Sequence, residues 1–151
     1  MEDNNRILLR AEAELDRLPE LSEHVREFFS KNGFDEHFCG QIDIVVEEIF
    51  VNIASYAYPD GGEKDTAIEC TAKDGIATIV FMDHGIPYDP LAKDDPVTGD
   101  PYGMTIGGYG IFMVKNIMDE VSYRYDDTTK QNILTMRKKP AKEKKHEDQQ
   151  S

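Results

Sequence analysis

Three short segments contain residues whose types and spacing could do chemistry. In VVEEIFVNIASYAY, Glu48 and Asn52 stand four residues apart. On a helix such residues stack on one side. A carboxylate stacked on a carboxamide can place a proton acceptor beside an oxygen ligand for a hard cation such as Mg²⁺. The plain alternative is a solvated helix edge, with Glu47 and Glu48 beside a surface amide. The second segment is Asp83-His84-Gly85, which closes an apolar run. A carboxylate at the end of a buried strand is costly without a partner, and an amino group on a ligand would supply one. Gly85 would let that ligand approach the backbone, although Asp-x-Gly is also an ordinary turn sequence. The third is Gly107-Gly108-Tyr109-Gly110, which opens a segment of helical spacing. Amides at a helix N-terminus lack internal partners and attract anions, and glycines allow a phosphate to come close. Alone, such a cluster reads equally well as a flexible joint.

Elements must hold these residues in place. From Gln41 to Tyr58 the apolar positions Ile42, Val45, Val46, Ile49, Phe50, Ile53 and Ala57 form one helical face. Glu48 and Asn52 fall on one flank of it, Glu47 on the other. Asp35 can cap this helix, and Pro59-Asp60-Gly61-Gly62 ends it. An earlier helix, LSEHVREFFSKNG, starts near Pro19 and stops at Gly33. A first strand is expected over 6–15. TAIECTAK and IATIVFMD flank Asp74-Gly75, a strong hairpin signal, and the second of these strands should be central. Residues 86–106 contain four of the seven prolines, so a lid or binding loop is expected there. A helix IFMVKNIMDEV follows the glycines, then two strands, VSYRYD and NILTMRK, paired across Asp127–Lys130. The order predicts an α+β two-layer sandwich, with helices on one face of a mixed sheet. One domain over 1–138 and a polar tail without order over 139–151 complete the expected organisation.

Composition narrows the function classes. The chain has 151 residues, with 30 acids against 17 bases and a net charge of −13. Nucleic-acid binding needs basic surface, and so does docking on anionic membrane, so neither is expected. No apolar run reaches the ~20 residues of a membrane helix. The first residues, MEDNNRILLR, do not resemble a secretory signal. Two cysteines, Cys39 and Cys70, are read as reduced thiols of a cytoplasmic protein. His24, His37, His84 and His146 show no metal-ligand spacing. There is no G-x-x-x-x-G-K-[ST] loop and no dinucleotide fingerprint.

Taken together and in this order, VVEEIFVNIASYAY, FMDHGIPYDP and GGYGIFMVKNIMDEVSY resemble the three ATP-binding boxes of the GHKL fold, shared by gyrase, Hsp90 and histidine kinases. The compact length and the Asp-x-Gly-x-Pro-Tyr-Asp-Pro turn are most similar to the anti-sigma-factor serine kinases. The resemblance spans roughly residues 6–138. It implies ATP and Mg²⁺ as ligands. Asn52 would ligate the metal. Glu48 would orient or deprotonate the attacking hydroxyl. Asp83 would accept from the adenine amino group, Gly85 would line the adenine pocket, and Gly108 and Gly110 would hold phosphates. Thr135 would reach adenine through water. The implied partners are a small antagonist protein, phosphorylated on serine or threonine, and a sigma factor held inactive by a homodimer.

Some residues depart from the family pattern. Pro87 replaces the turn's second glycine, and Tyr56-Ala57-Tyr58 stands where His-Ala-Tyr is frequent. The lid lacks the Glu-Arg pair of better-known members, and Lys115 is the nearest base to the glycine box. A nucleotide-gated binding module without transfer activity is the main alternative. A histidine kinase domain acting in trans ranks lower, because the chain contains no helix pair with a phospho-accepting histidine.

Overall fold

A computed structural model describes residues 5–92 and 106–139, with the backbone alone at 106–109. Most of the expected lid, and the expected tail from residue 140, lie outside the described residues. The chain forms β1 (Arg6–Glu12), α1 (Leu18–Lys31), α2 (Glu36–Asn52), β2 (Asp65–Lys73), β3 (Ile76–Asp83), α3 (Ile106–Ile117), β4 (Glu120–Asp126) and β5 (Gln131–Lys138). A π-helical turn, Ile53–Ala57, continues α2.

Local chemistry accounts for most boundaries. Pro19 sits in the first turn of α1, where its missing N–H is no loss. Gly33, at φ +90°, takes the chain out of that helix. Asp35 caps α2 by accepting the Phe38 N–H at 2.9 Å. Asp74 and Gly75 both have positive φ, 55° and 78°, as a two-residue hairpin turn requires. Three expected boundaries shift. α3 ends at Ile117 rather than at Val121, which with Glu120 belongs to β4. β1 stops at Glu12, because Ala13 N–H turns to the Lys64 carbonyl at 2.8 Å and Leu15–Arg17 then forms a 3-10 turn. α3 begins at Ile106 rather than after the glycines, so Gly107, Gly108 and Gly110 lie inside its first turns. Ile111, Val114 and Met118, buried at and just beyond α3, anchor this segment to the core despite the poor helix propensity of glycine.

The sheet order is β1-β2-β3-β5-β4. All four described pairings are antiparallel. The sheet expected to be mixed thus has no parallel pair among the described residues: β1, β3 and β4 run one way, β2 and β5 the other, and β5 fills the gap between β3 and β4. Alternation along β3 sends Ala77, Ile79, Phe81 and Asp83 into the buried layer. There Ala77, Ile79 and Phe81 join one cluster with Phe29 of α1, Val45, Val46 and Phe50 of α2, and Val114 of α3. Cys39 and Cys70 are both buried free thiols. Asp83 thus arrives at the open end of a core strand, opposite the end of α2.

Candidate functional site

A cleft of about 620 Å³, its open mouth included, lies between the end of α2 and the ends of β3 and β5. Ile49, Asn52, Ile53 and Tyr56 form one wall. Phe81, Asp83, Asn132 and Leu134 form the floor, and Ile86 and Tyr88 stand opposite. The lining is largely apolar with a few convergent polar groups, as suits a flat heteroaromatic ligand. Tyr56 is 62% exposed at the mouth, projecting from the π-helical turn. Such turns recur at functional sites.

Asp83 is the buried charge of this floor, only 6% exposed. Its Oδ1 accepts from Gly85 N–H at 2.8 Å and from Asn132 Nδ2 at 2.9 Å. Among the described residues no donor reaches its other oxygen. Burial pushes the carboxyl above its ordinary range, opposed by the two hydrogen bonds and by His84. A ligand amino group would complete the shell of this carboxylate.

Asn132, which sequence reasoning missed, organises the turn after β3. It faces Asp83 across the β3–β5 ladder. Its Nδ2 also donates to the carbonyls of Gly85 at 3.3 Å and Ile86 at 2.9 Å. Its Oδ1 accepts from Tyr88 N–H at 3.1 Å and from the Tyr123 hydroxyl. The available signal was a polar residue at the same alternation as Leu134 and Met136. Thr135 had been expected on the adenine side and is displaced. It pairs with Val80 and Ser122, so it lies on the sheet face away from the helices. An odd step from Asn132 to Thr135 reverses the face.

Gly85 also has a different part from the one expected. It is not among the residues lining the cleft. A Cβ on it would lie 2.5 Å from Ala57 Cβ and 2.8 Å from the Ala57 carbonyl carbon. Ile86 N–H donates to the Ala57 carbonyl at 2.9 Å, which binds the turn to the π-helical segment. Glycine here serves a close backbone approach within the protein. The Tyr58 hydroxyl adds a second tie, donating to the Asp65 carbonyl at 2.6 Å and accepting the His84 N–H at 2.8 Å. Burial pushes this phenol up to about 12.

Glu48 is half-buried one turn before Asn52 on α2. Burial, then the Glu47 charge, raises its carboxyl above the ordinary value. Gly110 of α3 lies directly against it. Gly108 is in the first turn of the same helix, where free amides face outward along the axis. Lys115 lines a separate pocket with Leu91, Met118 and Asp119. The structure therefore brings Asn52 and Asp83 to one cleft, with Glu48 and Gly110 in contact one helical turn along.

Among the described residues, no three His, Cys, Asp or Glu side chains cluster as a protein-only metal cage. Asn52 offers a single oxygen at the cleft wall, a donor set that fits Mg²⁺ held jointly with ligand phosphates. No helix among the described residues is long and apolar enough to cross a membrane.

The model of the histidine kinase-like ATPase domain matches residues 11–138. The chain belongs to this family. Similarity within the histidine kinase-like ATPase domains points to one branch. The serine-protein kinases RsbW of Listeria monocytogenes serotype 4a (strain HCC23) and of Listeria innocua serovar 6a are each 24% identical over 103 residues. The match covers 65% of this chain and 66% of each relative, so about a third of each relative's length lies outside it. The structure of the RsbU and RsbW domains of Rv1364c from Mycobacterium tuberculosis overlays with a TM-score of 0.60 at 13% identity. That overlay covers 91% of this chain and 33% of the other. It shows the shared fold: an α+β ATPase-type domain with its helices on one side of the sheet.

Proposed function

We propose that this chain is an ATP- and Mg²⁺-dependent protein serine/threonine kinase of the anti-sigma-factor type. Its substrate would be a small antagonist protein, and its second partner a sigma factor, held by a homodimer. The observation that carries this reading is the buried Asp83 carboxylate at the cleft floor, with one oxygen unmatched among the described residues and Asn52 and Glu48 stacked along the adjoining helix. The relatives named serine-protein kinase support the class of acceptor. Asp83 would take the adenine amino proton as a hydrogen bond, and the apolar walls would hold the ring. Asn52 would bind Mg²⁺, whose role when bound is to offset phosphate charge. Glu48, its carboxyl raised above the ordinary value by burial, suits a proton acceptor. In the transfer, the hydroxyl oxygen of the acceptor bonds to the γ-phosphorus as that atom's bond to the β–γ bridging oxygen breaks. Glu48 takes the hydroxyl proton, and ADP departs. A surface of net charge −13 would complement a basic partner.

The test is calorimetric titration with ATP and Mg²⁺ on the wild type and Asp83→Asn. Saturable binding lost in the variant supports the adenine pocket. No binding to the wild type at millimolar ATP sinks the reading. Glu48→Ala then separates a kinase from a nucleotide-gated module. A kinase loses phosphoryl transfer, whereas a gating module keeps nucleotide-dependent partner control.

A further inference from the structure

We infer that Gly110 is a positioning residue for Glu48: its missing side chain is the seat in which the Glu48 carboxylate rests. This rests on the reading of Glu48 as proton acceptor, and it reassigns Gly110 from phosphate contact. Glycine is a poor residue inside a helix, so its presence at the fifth position of α3 calls for a cause. Backbone conformation is not the cause. Among the described residues the glycines with positive φ are Gly33, Gly61, Gly62 and Gly75, and Gly110 is not one of them. Space is the cause. A Cβ at 110 would overlap Glu48 Oε1 and lie 3.1 Å from Glu48 Cδ. Gly40, inside α2, provides the contrast, with nothing within 4 Å of a Cβ placed there.

The same contact argues against a phosphate at this residue. The open side of Gly110 already holds a carboxylate, and a second anion in that space would face like charge. The N-terminal amides of α3, one turn earlier, remain the better phosphate site. α3 therefore has two parts in one reaction: its first turn faces the anion, and its fifth residue sets where the acceptor carboxylate lies. Any movement of α3 along or about its axis moves the Glu48 seat with it.

Mg·ATP turnover and Mg·ATP affinity are measured on the full chain for Gly110→Ala, Glu48→Asp, the double variant, Glu48→Gln, and Gly40→Ala as control. Gly110→Ala is expected to lower turnover by on the order of 10²-fold, with affinity changed by no more than about twofold. In the Glu48→Asp background, where the shorter side chain leaves the seat, Gly110→Ala should cause no further loss. Unfolding in urea provides a second reading. Gly110→Ala should stabilise the Glu48→Asp chain, as Gly40→Ala stabilises the wild type, yet fail to stabilise the wild type. Equal loss of affinity and turnover in both backgrounds would overturn the inference and return Gly110 to phosphate contact. Additive unfolding effects would overturn the seat itself. Undiminished turnover in Glu48→Gln would instead sink the assignment of Glu48 as proton acceptor, while the unfolding cycle still judges the contact.

Discussion

Asn132 Nδ2 donates to Asp83 Oδ1 at 2.9 Å, across a ladder position where the two residues face each other on neighbouring strands. The amide sets which Asp83 oxygen stays open to the cleft, and its remaining bonds fix the turn at Gly85, Ile86 and Tyr88. It is 7% exposed, so its partners would be left in a poorly solvated place if it were removed.

Asn132→Ala should therefore destabilise the domain by roughly 1–3 kcal/mol, the cost of orphaning buried polar groups. It should also weaken ATP binding about tenfold or more, because Asp83 loses its fixed orientation. Urea unfolding and calorimetry check the two effects separately. Thr135→Ala, on the opposite sheet face, should leave both nearly unchanged.

Asp83 makes function and stability oppose each other. Its carboxyl is raised by burial, so its contribution to stability is present when protonated, below the ordinary value, and is lost as pH rises through the raised value. At neutral pH the ionised group opposes folding. Asp83→Asn keeps an Oδ1 acceptor for Gly85 and Asn132 but presents an NH₂ to the cleft. The expected outcome is loss of ATP binding with a melting temperature at or above wild type at pH 7. That advantage should fade as pH falls through the raised value and be gone by about pH 3.9, the ordinary aspartate value. Thermal melts of both proteins across this range decide it. A variant clearly less stable at pH 7 would show that the charge itself holds the turn together.

Much of this fold was legible because local signals agreed with tertiary need. Asp74-Gly75 fixed one hairpin, Asp35 capped α2, and the apolar run ending in Asp83 gave both the central strand and its buried carboxylate. The errors have a common source. Register between β3 and β5 is set through α3 and β4 rather than by a tight turn, so the partner of Asp83 could not be counted along the chain. The resemblance points to Thr135, whereas the β5 residue that faces Asp83 is Asn132. Glycines were similarly ambiguous: sequence marks a place without a side chain but not what fills it. At Gly85 the neighbour is the Ala57 backbone, and at Gly110 it is the Glu48 carboxylate.

Tyr58 joins three segments through one oxygen, so Tyr58→Phe isolates that bond set. The His84 N–H and the Asp65 carbonyl would each lose a partner, at about 1–2 kcal/mol in total. ATP affinity should fall a few-fold as the turn loosens. The phenol is raised to about 12, so its stabilising contribution is full below the ordinary tyrosine value of about 10 and is lost as pH rises through about 12. Ultraviolet titration should show a tyrosine near 12 that is missing in the variant, while Tyr123, also raised by burial, is retained. A titration identical in both proteins would remove the phenol from this role.

Gly85→Ala separates two reasons for a glycine after Asp83. If the glycine exists for ligand approach, alanine should lower ATP affinity and leave the apo domain as stable as before. If it exists for packing on Ala57, the added methyl meets backbone atoms, which cannot rotate away. The turn must lift, stretching the Ile86 N–H bond to Ala57 and carrying the Gly85 N–H away from Asp83. The packing account predicts a loss of about 1–3 kcal/mol in the apo protein, as for overpacking in a core. ATP affinity should fall alongside it, because the carboxylate loses a donor that fixes it. Unfolding of the apo variant is the deciding measurement, since only the packing account expects it to change.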